Sequence, residues 1–153
     1  MANGTGKLAY PPAGFHFRVV FNGIGEEQID SRFQSVSGLS VEMEVENRKE
    51  GGENRFEHAL PVRAKFPVLV LKRGLISNSK LLTSWCNNVF HSLIIEPKNL
   101  TINLLNDEHE PLLTWNVVHA WPKKWSLSDL NAETNSIAIE SFELQYQYYT
   151  IQP

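Results

Sequence analysis

The sequence predicts a mainly β fold: an antiparallel β-barrel or sandwich of about six to eight strands with one α-helix near residues 78–91. Two observations predict this class. Most segments alternate apolar and polar residues, as a half-buried strand does, and only one shows the three-and-four spacing of a helix. The segments also lack the regular alternation of strand and helix that a parallel sheet requires. We therefore expect the helix to pack across one end or edge of antiparallel sheets.

The size and charge of the chain favour one soluble domain. Its 153 residues, of which 42% are hydrophobic, are enough for a single core spanning 1–153, and the Gly-, Ala- and Pro-rich residues 1–14 predict a flexible N-terminal arm. The net charge of −3 gives no general footprint for nucleic acid or an anionic membrane. No segment resembles a signal peptide or a membrane span, which predicts a cytoplasmic product.

The first half of the chain contains strand candidates only. The segment GFHFRVVFN, residues 14–22, places phenylalanine and valine at alternate positions. Residues 32–37 and 39–48 are two further candidates, or one long strand bent at the glycine between them. The apolar run in residues 60–74 predicts a buried strand, in which Pro67 requires a bulge or an edge because it lacks an amide donor.

The helix and the remaining strands follow. In residues 78–91 the apolar positions recur at three and four, and Ser and Asn residues before them can cap the first turn. Strand candidates then cover residues 93–106 and 112–122. In the second of these we expect one shared face, formed by Trp115, Val117, His119 and Trp121. The last candidate, residues 136–151, changes its apolar phase and therefore predicts a bulge or a change of buried face.

The segment LSVEMEVE, residues 39–46, has an acidic stripe that runs into a charged loop. Its glutamates, Glu42, Glu44 and Glu46, share one face, and its apolar residues share the other, which we expect to lie on the core. Two glycines then lie in a strongly polar loop, residues 47–55. Carboxylates spaced along one strand do not converge across a cleft as acid/base catalysis requires, so a solvated or partner-facing strand is favoured.

No catalytic, cofactor-binding or metal site is predicted, and we do not expect an enzyme. Glu108, His109 and Glu110 could hold a divalent ion, but a polar hairpin turn accounts for them better. Cys86 lies among apolar helical neighbours and is interpreted as a core thiol rather than a nucleophile.

A ligand-binding barrel is the alternative function. Three tryptophans on strands or beside them could stack on carbohydrate or single-stranded nucleic acid: Trp115, Trp121 and Trp125. Packing in the core explains the first two at least as well.

The order of several segments resembles the tail tube proteins of contractile phages and phage-like contractile injection systems. These segments are FQSVSGLSVEMEVENRKEGGENRFEHALP, then LVLKRGL, then a helix with Trp85, then LLNDEHEPLLTWNVVHAWPKKWSLSDLNAETNSIAIESFEL. The similarity runs from about residue 15 to residue 149. Its most specific part is the pattern W/P-x-K…D-L-N-A…N…I-E, carried by Trp121 to Glu140.

The resemblance implies a β-barrel with one helix, shared with the tube protein of type VI secretion systems. It implies six copies in a ring, and rings stacked into a hollow tube inside a sheath. The implied partners are further copies, the main tube protein, spike or hub and baseplate proteins, the sheath and a cargo effector in the lumen, with no membrane contact. Assembly is expected in the cytoplasm of the producing bacterium, before the tube becomes part of a phage tail or injection particle.

Two groups of residues receive roles from this resemblance. The acidic stripe is expected to face the lumen or a neighbouring subunit. The loop is expected to contact the next ring or subunit, through Asn47, Arg48, Lys49, Glu50, Gly51, Gly52, Glu53, Asn54 and Arg55. The resemblance implies either a subunit of the main tube or a tube-initiating ring, and the segments YPPAGFHFRVVF and WNVVHAWPKKW look closer to the second, baseplate-proximal tube protein.

Overall fold

The computed structural model describes residues 16–23, 33–49, 51–52, 55–74, 80–134 and 137–153, without the side chains of His16 and Lys80. This part contains nine strands and one helix: β1 (His16–Phe21), β2 (Ser35–Ser37), β3 (Glu42–Arg48), β4 (His58–Lys65), β5 (Leu69–Gly74), α1 (Lys80–Ser92), β6 (Lys98–Leu105), β7 (Pro111–Leu127), β8 (Ile139–Gln145) and β9 (Tyr148–Gln152). The predicted arm, residues 1–14, lies outside the described residues.

Seven strands form two sheet halves that share β7. The strand order is β1-β6-β7-β8-β5-β2, and β9 pairs with the first half of β7. All pairs are antiparallel: residues 114–118 of β7 pair with β9, and residues 121–127 pair with β8. Side chains from both halves meet in one core, where Phe33 contacts the rings of Phe21 and Phe142. The predicted class, an antiparallel barrel or sandwich with one helix, is confirmed.

Strand β7 passes from one half to the other at His119. This residue has a φ of 55°, and its amide donates to the side-chain oxygen of Asn99 at 3.1 Å. The bend of the backbone at His119 shifts the alternation of buried and exposed side chains by one residue. Val117 is buried before the bend, and Ala120 and Pro122 are buried after it. The prediction that Trp115, Val117, His119 and Trp121 share one face is therefore wrong beyond Val117, because His119 is exposed.

Helix α1 covers the core as its spacing predicts. It buries Leu82, Trp85, Cys86 and Val89. The indole of Trp85 contacts the ring of Phe21 edge-on and donates to the carbonyl oxygen of Glu96 at 2.8 Å. The predicted start at residues 78–79 lies outside the described residues.

The described part has more strands than expected because two predicted strands are interrupted. Residues 60–74 divide around Pro67, which is exposed between β4 and β5, where a missing amide donor costs no ladder hydrogen bond. The last candidate divides at Tyr146 and Gln147, where the buried face changes. The apolar residues of the sequence change phase between Ile139 and Phe142, so the change of buried face lies several residues later than the sequence predicts.

Candidate assembly interface

Strands β3 and β4 form a two-stranded sheet, here called the hairpin, that stands apart from the seven-stranded body. Among the described elements, β3 and β4 pair and make contacts only with each other. The hairpin continues the β2–β5 pair: Ser37 is opposite Val70 in the body, and Glu42 is opposite Lys65 in the hairpin.

A close crossing of two backbone segments separates the hairpin from the body. Gly38 has a φ of 93°, and a Cβ at this position would lie 2.1 Å from the carbonyl oxygen of Val68. The hydroxyl of Tyr146 also donates to the Gly38 carbonyl oxygen at 3.3 Å. Only glycine allows the two segments to approach this closely, so the crossing fixes where the hairpin begins.

One face of the hairpin is charged. Opposite residues in an antiparallel pair share a face, which places Glu42 with Lys65 and Glu44 with Arg63. Arg63 Nε lies 2.7 Å from Glu44 Oε2, and Lys65 Nζ lies 3.4 Å from Glu44 Oε1. The hydrogen bond from Arg63 lowers the pKa of Glu44 below its usual value. The structure confirms that the glutamates lie along one strand; whether they face a lumen or a neighbour stays a prediction.

The other face of the hairpin is apolar and exposed. Met43 is opposite Ala64 and Val45 is opposite Pro61, and the register slips between Glu44 and Val45. The exposed fractions of Val41, Met43 and Val45 are 55%, 52% and 54%. The expectation that these residues lie on the core is wrong, because the chain leaves the body at Gly38 and only Leu39 packs against the core.

A two-stranded sheet with an exposed apolar face is not expected to be stable in an isolated subunit. Two-stranded hairpins are at best marginally stable in water, and contiguous exposed apolar surface commonly marks a contact with another protein. Strands β3 and β4 also each leave one edge without a partner among the described strands. The hairpin therefore has the features of a surface that is completed by association.

The described residues of the predicted loop lie at the end of the hairpin. Asn47 and Arg48 are the last residues of β3 rather than loop residues. Lys49 forms an ion pair of 3.4 Å with Glu57, and Gly51, Gly52 and Arg55 are exposed. Glu50, Glu53 and Asn54 lie outside the described residues. The contact of this tip with another ring or subunit stays a prediction.

A buried ion pair in the body escaped the sequence search. Arg73 of β5 and Glu140 of β8 are opposite each other, with Arg73 Nε 2.9 Å from Glu140 Oε2. Trp125 Nε1 donates to the other carboxylate oxygen at 2.8 Å, and the guanidinium lies over the rings of Phe33 and Phe142. Arg73 lies in the segment LKRG and Glu140 in the I-E pair, and both segments belong to the family resemblance. That resemblance was the one feature of the sequence that could have singled out these two residues. The cluster fixes the register of β5 against β8.

The other candidate sites have structural explanations. Cys86 is fully buried, and burial raises the pKa of its thiol to about 12, as the interpretation of a core thiol requires. His109 lies in the β6–β7 turn, where Asn106 Oδ1 accepts hydrogen bonds from the amides of Glu108 and Glu110. Within the described residues, no three His, Cys, Asp or Glu side chains are grouped as metal ligands would be.

The tryptophans do not form a common platform. Trp115 and Trp125 pack against the core, and the indole of Trp125 stacks on the ring of Phe142 at 6.2 Å between centroids. Trp121 follows the bend of β7 and is half-buried. The alternative of a ligand-binding barrel gains no support from this arrangement.

No helix in the described part of the chain is long and apolar enough to cross a bilayer.

The chain therefore combines a body of seven strands and one helix with a separate hairpin that has one charged face and one exposed apolar face. Two solved chains similar to it over nearly their full lengths come from injection particles. One, from the anti-feeding prophage (AFP) baseplate, symmetrised six-fold, is 30% identical with a TM-score of 0.77, and the match covers 95% of this chain and 97% of that chain. Another comes from the sheath/tube terminator of the extracellular contractile injection system PVC in its extended state. It is 28% identical with a TM-score of 0.80, and the match covers 95% of this chain and 99% of that chain.

Residues 13–150 match the model of the family described as T4-like virus tail tube protein gp19. The chain belongs to this family, and the predicted resemblance is confirmed. The fold is also shared with Hcp1 from Flavobacterium johnsoniae, at 13% identity and a TM-score of 0.59, over 88% of this chain and 93% of that chain. No match was found among curated proteins.

Proposed function

We propose that this protein forms six-membered rings that stack into the inner tube of a contractile injection system or phage tail. Its membership of the tail tube family supports the tube, and the similar chain in a six-fold symmetrised baseplate supports the number of copies. The observation that carries the proposal is the hairpin, because its apolar face and unpaired edges have no cover in the described part of the chain.

Two kinds of contact are needed to build such a tube. A head-to-tail contact that closes after six copies makes a ring, and a second contact that does not close stacks the rings. We assign the faces and edges of the hairpin to the first contact. The tip, with Lys49, Gly51, Gly52 and Arg55, is assigned to the second because it is exposed and lies beyond the strands.

The ring is proposed to lie at the baseplate end of the tube, between the spike and the main tube. The segments YPPAGFHFRVVF and WNVVHAWPKKW support this placement. The partners are then the spike or hub, the main tube protein, other baseplate proteins and the surrounding sheath, with cargo passing through the lumen. The subunits assemble in the cytoplasm and remain in the finished particle.

The test combines mass measurement with imaging of the assembled particle. The purified chain is expected to form six-membered rings at high concentration, and labelled copies in the particle are expected to form a single ring beside the baseplate. Labels along the whole tube would reassign the chain to the main tube. A chain that stays monomeric and is absent from the particle would contradict the function itself.

Charge reversal at the tip tests the stacking contact separately. Changing Arg48 and Lys49 to Glu is expected to leave the fold and the ring intact and to weaken stacking, because matched charges set the register of such contacts. Analytical ultracentrifugation separates rings from stacks. Loss of the folded monomer would contradict the assignment.

A further inference from the structure

The body carries a second exposed apolar surface where α1 ends. It consists of Phe90, Leu93, Ile94 and Ile95, here called the helix-end patch. Leu93 is the most exposed of them, at 83%, and Ile94 and Ile95 are 51% and 53% exposed. Four consecutive or neighbouring large apolar side chains in water are uncommon for a protein that acts alone.

The helix-end patch is held in one conformation. Leu93 has a φ of 55°, a left-handed conformation in which glycine is usual after a helix and leucine is strained. The Ile94 amide donates to the Asn88 carbonyl oxygen at 2.9 Å, and the Trp85 indole donates to the Glu96 carbonyl oxygen at 2.8 Å. A strained leucine that points into water, and is fixed on both sides, favours a preformed contact over a loose loop.

The two exposed apolar surfaces consist of uncharged side chains. Those of the hairpin face, from Val41 to Val45, extend over about 13 Å of strand. The charged residues of the hairpin lie on its opposite face, so covering the apolar face with the helix-end patch would bury no unpaired charge.

A head-to-tail ring requires two different surfaces on every copy, one for each neighbour. This requirement follows from the proposed function, on which the inference rests. We propose that the apolar face of the hairpin of one copy docks on the helix-end patch of the next copy. Each surface exposes half or more of most of its large apolar side chains and so supplies part of the roughly 800 Å² per partner of a stable interface. Unpaired strand edges supply the remainder.

Complementation between two variants tests the pairing. Met43→Asp with Val45→Asp damages only the hairpin face, and Leu93→Asp with Ile95→Asp damages only the helix-end patch. Each variant is expected to need an at least tenfold higher protein concentration than the unchanged chain to form rings. An equimolar mixture is expected to form a 1:1 complex and no ring, because one intact hairpin and one intact patch remain.

The matched control is Leu130→Asp with Ile137→Asp, which adds the same two charges at residues that are 72% and 71% exposed and outside both surfaces. It is expected to form rings as the unchanged chain does. Normal rings from the patch variant, or no complex in the mixture, would overturn the pairing and leave the proposed function standing. Failure of the unchanged chain to form rings would instead overturn the proposed function.

Disulfide formation gives an independent result. Cys86 is the one cysteine of the sequence and is buried, so engineered cysteines can be oxidised selectively. Met43→Cys with Leu93→Cys is expected to give a ladder of covalent oligomers up to six copies. Met43→Cys with Leu130→Cys is the control and is expected to stay uncrosslinked. A ladder in the control and not in the test pair would contradict the proposed contact.

Discussion

The body and the hairpin each contain an arginine–glutamate pair, and the two pairs differ in how far they are buried. In the body, Arg73 Nε and Glu140 Oε2 are 2.9 Å apart, and the two side chains are 1% and 3% exposed. In the hairpin, Arg63 Nε and Glu44 Oε2 are 2.7 Å apart, and the two side chains are 72% and 32% exposed. The body surrounds its charges with aromatic rings, whereas the hairpin leaves charged and apolar side chains alike in water.

This difference separates the part of the chain that has a core from the part that has none. In the body, the side chains of the core cluster pack together and the buried carboxylate accepts hydrogen bonds from Arg73 and Trp125. In the hairpin, the same alternation of apolar and polar residues has no core to face. The body therefore has the features of a folding unit, whereas the hairpin is the part that we propose as a surface for assembly.

The largest expected effect is at the buried pair. Glu140→Ala would leave Arg73 as an uncompensated buried charge and is expected to cost about 3–5 kcal/mol in the free energy of unfolding, measured by urea titration of the monomer. Replacing both residues, Arg73→Met with Glu140→Leu, is expected to recover much of this loss because no buried charge remains.

Glu44→Ala is the matched change in the hairpin. It is expected to leave the urea midpoint of the body unchanged, because solvent screens an exposed pair. Equal losses at Glu44 and Glu140 would contradict the division between body and hairpin.

Two glycines with positive φ provide the next comparison. An alanine at Gly38 would place its Cβ 2.1 Å from the Val68 carbonyl oxygen and force the backbone to move. We expect Gly38→Ala to cost about 2–4 kcal/mol, from overpacking and from the left-handed conformation together. Gly52, at a φ of 99°, has no atom within 4 Å of an added Cβ, so Gly52→Ala carries only the conformational cost, about 1 kcal/mol. Thermal unfolding of both variants measures the difference, and a larger loss at Gly52 would refute this account of the crossing.

The last expected effect is the pH dependence of the body. The Cys86 thiol has a pKa raised to about 12 by burial, whereas an unfolded thiol ionises near 8.5. Stability from this difference is fully present below the unfolded pKa and is lost as pH rises toward the folded pKa, by up to about 1.4 kcal/mol per pH unit. Urea midpoints from pH 8 to 10 should fall for the unchanged chain and fall less for Cys86→Ala. Parallel curves for the two chains would show that Cys86 does not carry the effect.

Local spacing predicted the elements that the body buries. The three-and-four pattern of residues 78–91 gave α1, and the alternation of Phe17, Val19 and Phe21 gave a strand whose apolar side packs on the core. These predictions are correct because burial on one face imposes the period directly on the sequence.

Features that depend on distant residues could not be predicted in this way. His119 adopts a positive φ in the middle of a strand pattern, and nothing adjacent to it in sequence signals the bend. Glu140 is buried because Arg73 is opposite, 67 residues away. The alternation in residues 39–46 correctly indicates an apolar face. It does not show whether that face packs on the body or lies exposed, since the pattern is the same in either case.

Amide hydrogen exchange, measured in the monomer and in the assembled ring, tests the central claim most directly. In the monomer, the amides of β3 and β4 are expected to exchange much faster than those of β5 and β8, because the hairpin has no cover in the described structure. In the ring, the hairpin amides should become as protected as those of the body. Hairpin amides that are fully protected in the monomer, or that remain unprotected in the ring, would contradict the claim that another copy completes the hairpin.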